Sequence, residues 1–169
     1  TSTFAQKTST LEPRAPRSPR FAGEAGLELR ASDIILASLV EREAKHAEDR
    51  PLVASVLTNR LRIGMPLQAD ATLQYARDSA KHEARGAKSE PFSYWEPVSS
   101  GDKAIDSPYN TYLYSGLPPG PIANPGLAAL EAALHPADTD YFYYVSEPDG
   151  TTHFAVTYEE HLENIGRYL

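Results

Sequence analysis

The chain has 169 residues, of which 41% are hydrophobic and 23% charged, with 14 prolines and no cysteine. This length suits one globular domain, and the lack of cysteine excludes disulfide scaffolds, thiolate metal sites and cysteine nucleophiles. A formal net charge of −7 and a pI near 5.2 argue against a general nucleic-acid binder. No apolar run approaches the ~18 residues that a membrane span needs. The composition predicts a soluble, acidic domain.

The first 22 residues differ in composition from the rest of the chain. They contain seven Ser or Thr residues, three prolines and a formal charge of +3, so the other 147 residues carry −10. No helical or strand periodicity runs through them. We predict that residues 1–26 are a disordered or linker segment, the remnant of an upstream region, and that residues 27–169 form the domain.

Three helices are predicted in the first half of the domain. Asp33 is a suitable N-cap for the apolar run from Ile34 to Ala44. A second helix is predicted from Asp49, because its apolar residues recur at helical spacing until Gly64. A third helix is predicted over residues 70–85, after a short turn.

The second half of the chain begins with a long loop region. Residues 91–125 hold seven of the 14 prolines and many aromatic residues, which indicates an ordered loop region and not a regular element. A short helix is predicted over residues 127–134, followed by a β-hairpin with strands at 141–145 and 153–156. Thr157 starts a capping box for the last helix. The fold class is therefore α+β, mostly helical with a small C-terminal β-hairpin.

The first helix contains two candidate catalytic carboxylates, Glu41 and Glu43. Its polar sector holds Ser38, Glu41, Arg42 and Lys45. Glu43 lies opposite, on the row of Leu36 and Val40, where burial makes a carboxylate costly to ionise and should raise its pKa. A raised pKa suits a general acid. The alternative is that Glu43 bends out to solvent or pairs with Arg42 or Lys45, whereas Glu41 is expected to be solvated or structurally paired.

Asp70 is the best candidate for a second carboxylate, since it begins a helix after a turn. Its alternative role is that of a simple N-cap. No metal or cofactor is expected, because the five histidines show no metal-ligand spacing. These are His46, His82, His135, His153 and His161.

The segment 107–122 is rich in Tyr, Asn, Gly and Pro. Tyr and Asn side chains combine flat faces with hydrogen-bonding tips, which suit sugar rings that carry hydroxyl and amide groups. Gly and Pro would hold such a surface rigid. The alternative is a structural loop that covers the core.

Several segments together are typical of one enzyme family. They are residues 35–44, 53–68, 109–112, 116–122, 124–126, 135–137 and the hairpin that joins 143–145 to 153–154. In this order they resemble the MltG, or YceG-like, family of endolytic murein transglycosylases. The resemblance covers residues 27–169.

This resemblance implies a lysozyme-like α+β catalytic domain that needs no cofactor. Members of the family cut the β-1,4 bond between N-acetylmuramic acid (MurNAc) and N-acetylglucosamine (GlcNAc) in peptidoglycan. The C6 hydroxyl of the muramic residue attacks its own C1, which leaves a 1,6-anhydro end. One carboxyl group can therefore act first as the acid and then as the base.

The resemblance also implies roles for individual residues. In related transglycosylases a small residue, commonly Ser or Thr, follows the catalytic Glu at the end of a buried helix. Glu43 fits that pattern with Ala44 in the place of the hydroxyl residue, and Glu41 is the fallback. The residues implied to line the substrate cleft are Gln68, Asp70, Tyr109, Asn110, Thr111 and Asn124.

Two other functions remain open from the sequence. One is a muramidase, a true hydrolase in which Glu43 is the acid and Asp70 guides water. The other is a non-catalytic glycan-binding module that regulates wall synthesis.

The resemblance further implies a partner and a location. The expected partner is the peptidoglycan glycan strand, with cell-wall synthesis proteins as candidate protein partners and no nucleic acid. Family members carry an N-terminal membrane helix and a LysM-like region, neither of which is found in this sequence. We therefore expect a soluble fragment of a protein on the outer face of the cytoplasmic membrane.

Overall fold

The computed structural model of the protein describes residues 29–85 and 93–169. Within these ranges it contains five α-helices, two antiparallel β-strands and two short 3₁₀ helices, at Ala47–Asp49 and Ser100–Ala104. The helices are α1 (Ala31–Glu43), α2 (Arg50–Arg62), α3 (Asp70–Arg85), α4 (Leu127–Leu134) and α5 (Tyr158–Tyr168), and the strands are β1 (Tyr143–Ser146) and β2 (Thr152–Ala155). This architecture confirms the α+β prediction with its small C-terminal hairpin. The lysozyme-like arrangement stays a prediction, and the predicted linker over residues 1–26 lies outside the described residues.

Helix α1 is the centre of the core. Leu39 and Val40 are fully buried, and the helix packs against α2, α3 and α4. It begins at Ala31, three residues earlier than predicted. Asp33 is therefore not the N-cap but the third helical residue, and its carboxylate accepts a hydrogen bond from the Arg30 backbone N–H at 3.0 Å. A carboxylate at the third helical position accepts a hydrogen bond from the N-cap backbone N–H, so an acidic residue there is typical of a helix start.

The polar sector predicted for α1 is partly covered by another segment of the chain. Ser38 is fully buried, and its hydroxyl donates to the Ile35 carbonyl at 2.7 Å and accepts from the Ile122 N–H at 3.0 Å. The proline-rich loop therefore covers this side of the helix. The helical wheel could not show this, because the covering segment is 84 residues away along the chain.

Buried polar side chains attach α2 to the chain that leads into β1. The Asn59 amide donates to the carbonyls of Thr139 and Tyr141, both at 2.9 Å. The Arg60 guanidinium donates to the Phe142 carbonyl at 2.6 Å. Each bond joins α2 to the segment 139–142, which directly precedes β1. Together the bonds therefore fix where β1 begins.

The loop that begins at residue 93 is attached to α3 by hydrogen bonds. Asp78 is buried and accepts a hydrogen bond from the Trp95 N–H at 2.7 Å, and Gln74 donates to the Trp95 carbonyl at 3.2 Å. Arg77 donates to Asp102 at 3.1 Å. One face of α3 therefore holds the loop that the sequence predicted to be ordered.

The hairpin is short and its register is defined. Tyr144 pairs with Phe154 and Val145 with His153. Helix α5 packs on both strands, and the Lys45 ammonium donates to the Asp149 carbonyl in the turn at 2.6 Å. The hairpin is thus attached to the chain just after α1. No helix in the two described ranges is long and apolar enough to cross a membrane.

Candidate functional site

Glu43 is the last residue of α1, and both of its carboxylate oxygens accept hydrogen bonds. Oε1 accepts from the Ala71 N–H at 3.1 Å, and Oε2 accepts from the Tyr144 hydroxyl at 2.7 Å. The two cations that the sequence offered as partners are engaged elsewhere. Lys45 bonds the hairpin turn, and the Arg42 guanidinium lies 3.9 Å over the Trp95 ring. Glu43 is therefore held by neutral donors and not by an ion pair along its own helix.

Burial raises the pKa of Glu43, as the helical wheel predicted, and the nearby negative charge of Asp70 raises it further. The hydrogen bonds from Tyr144 and Ala71 and the positive charge of Arg60 act in the opposite direction. Burial has the largest effect, so the net direction is upward. A carboxyl group with a raised pKa retains its proton nearer to neutral pH, which is the state that a general acid requires.

The N-terminus of α3 supplies the backbone donor. Ala71 is the second residue of α3, so its N–H has no acceptor within the helix. The positive end of the helix dipole also favours a negative charge here. The turn before α3 therefore brings a free donor and a favourable field to Glu43.

Asp70 is the first residue of α3 and is exposed. Its Oδ1 accepts a hydrogen bond from the Tyr112 hydroxyl at 2.6 Å. Burial raises the pKa of Tyr112, and the Asp70 carboxylate raises it further, so the phenol stays protonated as a donor. The structure thus brings Glu43 and Asp70 together, with Tyr112 from the aromatic loop beside them.

Gln68 lies two residues before Asp70, in the turn between α2 and α3. Its side chain is exposed, and its backbone has a φ of +50°, which is uncommon for a residue other than glycine. The Gln68 N–H donates to the Thr111 carbonyl at 3.1 Å, which holds the turn in this conformation. Such backbone strain is concentrated at functional sites.

Asn110 and Thr111 have a different placement from the predicted cleft lining, because both are buried. The Asn110 amide donates to the carbonyls of Lys103 and Ile105, and its oxygen accepts from the Tyr112 N–H at 2.9 Å. The Thr111 hydroxyl accepts from the Ala69 N–H at 3.1 Å. These bonds shape the loop and leave neither side chain a surface for a bound glycan. Their role in this structure is to position Tyr112 and the start of α3.

The other two residues predicted for the cleft are Tyr109 and Asn124. Tyr109 is partly buried, and its ring packs against Tyr75 with 4.7 Å between the centroids. Asn124 is exposed in the segment before α4. Neither placement tests substrate binding, so both assignments stay predictions.

Glu41 is structurally paired, which is one of the two roles predicted for it. Its Oε1 accepts from the Arg50 guanidinium at 3.0 Å, and its Oε2 accepts from the Gly126 N–H at 3.0 Å. The carboxylate therefore joins α1 to the starts of α2 and α4. Both oxygens are occupied by structural donors.

Sequence reasoning missed Tyr144 and Arg60. Tyr144 lies in a run of aromatic residues that predicts only a strand. Arg60 is 7% exposed, and its guanidinium donates to the carbonyls of Phe142 and Leu67, both at 2.6 Å. A signal for Arg60 was available, because a charged residue on the same helix face as the apolar Val56 and Leu57 is unusual.

The groups around Glu43 can donate hydrogen bonds or exchange protons. Carboxyl, phenol, guanidinium and backbone N–H groups surround Glu43. The described ranges contain no group of three or more His, Cys, Asp or Glu residues that could hold a metal ion.

Similar proteins carry one functional name. The sequence profile of the YceG-like family matches residues 2–167. A protein of Bacillus subtilis (strain 168) named endolytic murein transglycosylase is 44% identical over 136 residues, which make up 80% of this chain and 34% of that protein. A protein of Streptococcus pneumoniae (strain D39) with the same name is 34% identical over 154 residues, 90% of this chain and 26% of that protein. The chain therefore spans about a third or less of the length of these curated relatives.

A solved structure also matches. The crystal structure of a yceG-like protein from Listeria monocytogenes is 39% identical with a TM-score of 0.65, and the match covers 79% of this chain and 39% of that one. The fold of this chain agrees with that structure, and a sequence identity of 39% indicates common descent. The family profile covers nearly the whole chain. The chain belongs to the YceG-like family.

Proposed function

We propose that this chain is the catalytic domain of an endolytic peptidoglycan lytic transglycosylase, with Glu43 as its acid and base. The observation that carries the proposal is the environment of Glu43, a half-buried carboxyl group with a raised pKa and two fixed donors. The names of the relatives support the substrate class, since both are endolytic murein transglycosylases. The substrate is accordingly the glycan strand of peptidoglycan.

The reaction needs only one carboxyl group that is used twice. The Glu43 carboxyl proton passes to the oxygen between MurNAc and GlcNAc as the bond from C1 to that oxygen breaks, and the electron pair stays on the leaving oxygen. The C6 hydroxyl oxygen of MurNAc then bonds to C1. Its proton passes to the Glu43 carboxylate. No water is consumed, and Glu43 returns to its starting protonation state.

Gln68, Asp70 and Tyr112 are proposed to contact the strand beside Glu43. Gln68 and Asp70 are exposed at the turn before α3, and Tyr112 donates to Asp70. The negative charge of Asp70 would also stabilise the positive charge that develops at C1. Tyr109 and Asn124 remain proposed contacts farther along the strand.

The hydrolase alternative has one observation in its favour, since Asp70 is an exposed carboxylate near Glu43. In that case Asp70 would guide water to C1, and the product would be a reducing MurNAc end. A regulator that binds glycan without cleaving it would give neither product.

The test is to digest uncrosslinked peptidoglycan strands with this chain and to identify the new ends by mass spectrometry. We expect 1,6-anhydro-MurNAc ends from the wild type and none from Glu43→Gln. The matched control is Glu41→Gln, which removes a carboxylate two positions away and should still give anhydro ends. Reducing MurNAc ends would establish the hydrolase. Strands that are bound but uncut by both wild type and Glu43→Gln would establish the binding module.

The location and the protein partners are part of the same proposal. Peptidoglycan lies outside the cytoplasmic membrane, so the proposed substrate places the whole protein on the outer face of that membrane. Proteins of cell-wall synthesis are the proposed partners there, because a strand-cutting enzyme acts on their product.

A further inference from the structure

The Tyr144 hydroxyl is held in place by the hairpin. Tyr144 pairs with Phe154 in the β1–β2 register, and the two rings lie 6.3 Å apart. The tyrosine packs against the hydrophobic core. Burial raises the pKa of Tyr144 well above its ordinary value, so the phenol stays neutral and keeps its proton. Its hydroxyl is therefore a fixed neutral donor, 2.7 Å from Glu43 Oε2.

The two oxygens of Glu43 face different kinds of partner. Oε1 faces the Ala71 N–H, which can only donate, whereas Oε2 faces a hydroxyl, which can donate or accept. The backbone N–H requires Oε1 to be an acceptor in both protonation states of Glu43. The proton of the acid form therefore belongs on Oε2, the oxygen beside Tyr144.

The bond from Tyr144 is strongest when Glu43 is ionised. A carboxylate oxygen is a better acceptor than the hydroxyl oxygen of a carboxylic acid, and hydrogen bonds to ionised groups are roughly twice as strong as neutral ones. The donated bond therefore favours the carboxylate and opposes the effect of burial.

We propose that Tyr144 is a positioning residue that directs the catalytic proton of Glu43 to Oε2 and stabilises the carboxylate that exists between the two proton transfers. This inference rests on the proposed function, in which Glu43 is first an acid and then a base. Tyr144 neither donates a proton to the substrate nor takes one from it.

Arg60 contributes to this arrangement through two hydrogen bonds to backbone carbonyls. Its guanidinium holds the Phe142 carbonyl, two residues before Tyr144, and the Leu67 carbonyl, just before the turn that leads to α3. One buried cation therefore fixes both segments that supply donors to Glu43. The charged and titratable groups that face Glu43 are Asp70 from α3, Arg60 from α2, Tyr144 from β1 and Tyr112 from the loop.

The effect on pH dependence has a definite sign. The first step needs protonated Glu43, so kcat/KM should fall as the pH rises through the Glu43 pKa. Tyr144→Phe removes a donor that favours the carboxylate, so the Glu43 pKa should rise and this fall should move to higher pH. Below that pKa the rate should decrease, because the carboxylate formed in the first step is less stabilised.

The direct test is a ¹³C NMR titration of the Glu43 side-chain carboxyl group. We expect Tyr144→Phe to raise the Glu43 pKa by about one unit, a tenfold change in the acid dissociation constant. The matched control is Tyr114→Phe, which deletes an equivalent phenol-to-carboxylate bond of 2.6 Å, to Asp106 on the exposed surface. That control should leave the Glu43 pKa unchanged.

A second variant covers the case in which Tyr144→Phe does not fold. Site-specific fluorotyrosine at position 144 is a stronger donor of the same shape, so it should lower the Glu43 pKa. An unchanged Glu43 pKa in either folded variant, or an equal change in Tyr114→Phe, would overturn the proposal. Because the titration needs no substrate, it separates this inference from the proposed function, which fails only if wild type leaves strands uncut or gives reducing ends.

Discussion

Two glutamates two positions apart on α1 have opposite surroundings. Glu41 accepts hydrogen bonds from the Arg50 guanidinium and the Gly126 N–H. Its negative charge is therefore compensated, and its carboxylate links α1 to α2 and α4. Within residues 29–85 and 93–169, the half-buried Glu43 carboxylate accepts hydrogen bonds from a phenol and a backbone N–H and from no cation. Ionised Glu41 stabilises the fold, whereas ionisation of Glu43 costs free energy because its carboxylate is partly removed from water.

This difference predicts a pH-dependent effect of Glu43→Gln on stability. A carboxyl group whose pKa is raised by folding binds its proton more tightly in the folded state. Wild-type stability should therefore decrease as the pH rises from the unfolded value of ~4.3 through the folded pKa of Glu43. Glutamine cannot ionise, so its advantage over wild type should grow across this interval, by about 1.4 kcal/mol for each unit of pKa elevation.

The measurement is urea denaturation of wild type and Glu43→Gln at several pH values. Glu41→Gln serves as the control, because it removes a carboxylate that bonds Arg50 and Gly126 and should destabilise the protein. A difference between wild type and Glu43→Gln that does not depend on pH would contradict the raised pKa.

At the scale of elements, the hairpin decides where Tyr144 points. Side chains alternate between the two faces of a strand, so a slip of one residue in β1 would turn Tyr144 away from Glu43. The register is supported by the turn, which contains Gly150 with a φ of +103°. The chain after α1 packs directly against this glycine through Lys45 and His46.

Gly150→Ala is therefore expected to destabilise the protein. Both the left-handed backbone and the contact with Lys45 oppose a Cβ, so we expect a loss of about 1–2 kcal/mol. The control is Gly166→Ala in α5, where no atom lies within 4 Å of the added Cβ. That change should stabilise the protein by about 0.5–1 kcal/mol, because alanine favours a helix. Thermal unfolding of both variants measures the contrast, and a loss in Gly166→Ala equal to that in Gly150→Ala would contradict it.

At the scale of the whole molecule, four elements meet at Glu43. Helix α1 supplies the carboxyl group, α3 the backbone donor, β1 the phenol and α2 the buried cation. A largely apolar groove of about 640 Å³ lies elsewhere, between the start of α2 and α4. The lining of this groove includes neither Glu43 nor Asp70, so the groove is separate from the proposed catalytic site.

The net charge predicts how the proposed cleavage responds to salt. The chain carries −7 and peptidoglycan is also anionic, so long-range forces between them are repulsive. Recognition must then rest on stacking and hydrogen bonds. We expect kcat/KM to stay constant or to rise as sodium chloride is increased towards physiological ionic strength, since salt screens the repulsion. A steep fall in kcat/KM would indicate attraction through basic residues.

The sequence predicted most elements because their signals are local. Helix α3 starts at Asp70 as predicted, α4 spans the predicted residues 127–134, and the Thr157 capping box precedes α5. Helical periodicity also put Glu43 on the apolar side of α1, where the residue is half-buried and its pKa is raised. The predicted start of α1 was wrong, because Arg30 and not Asp33 is the N-cap. Contacts with distant segments were not predicted, such as the hydrogen bond between Ser38 and Ile122, 84 residues away.

The sequence by itself therefore determined the helices, the hairpin and the carboxyl group with a raised pKa. Periodicity, caps and turn residues act over a few positions, and they are readable along the chain. Only the tertiary structure decided what surrounds Glu43. The Ala71 N–H is 28 residues away and the Tyr144 hydroxyl 101, and no local preference encodes such contacts. They exist because packing around α1 brings α2, α3 and β1 to the same point.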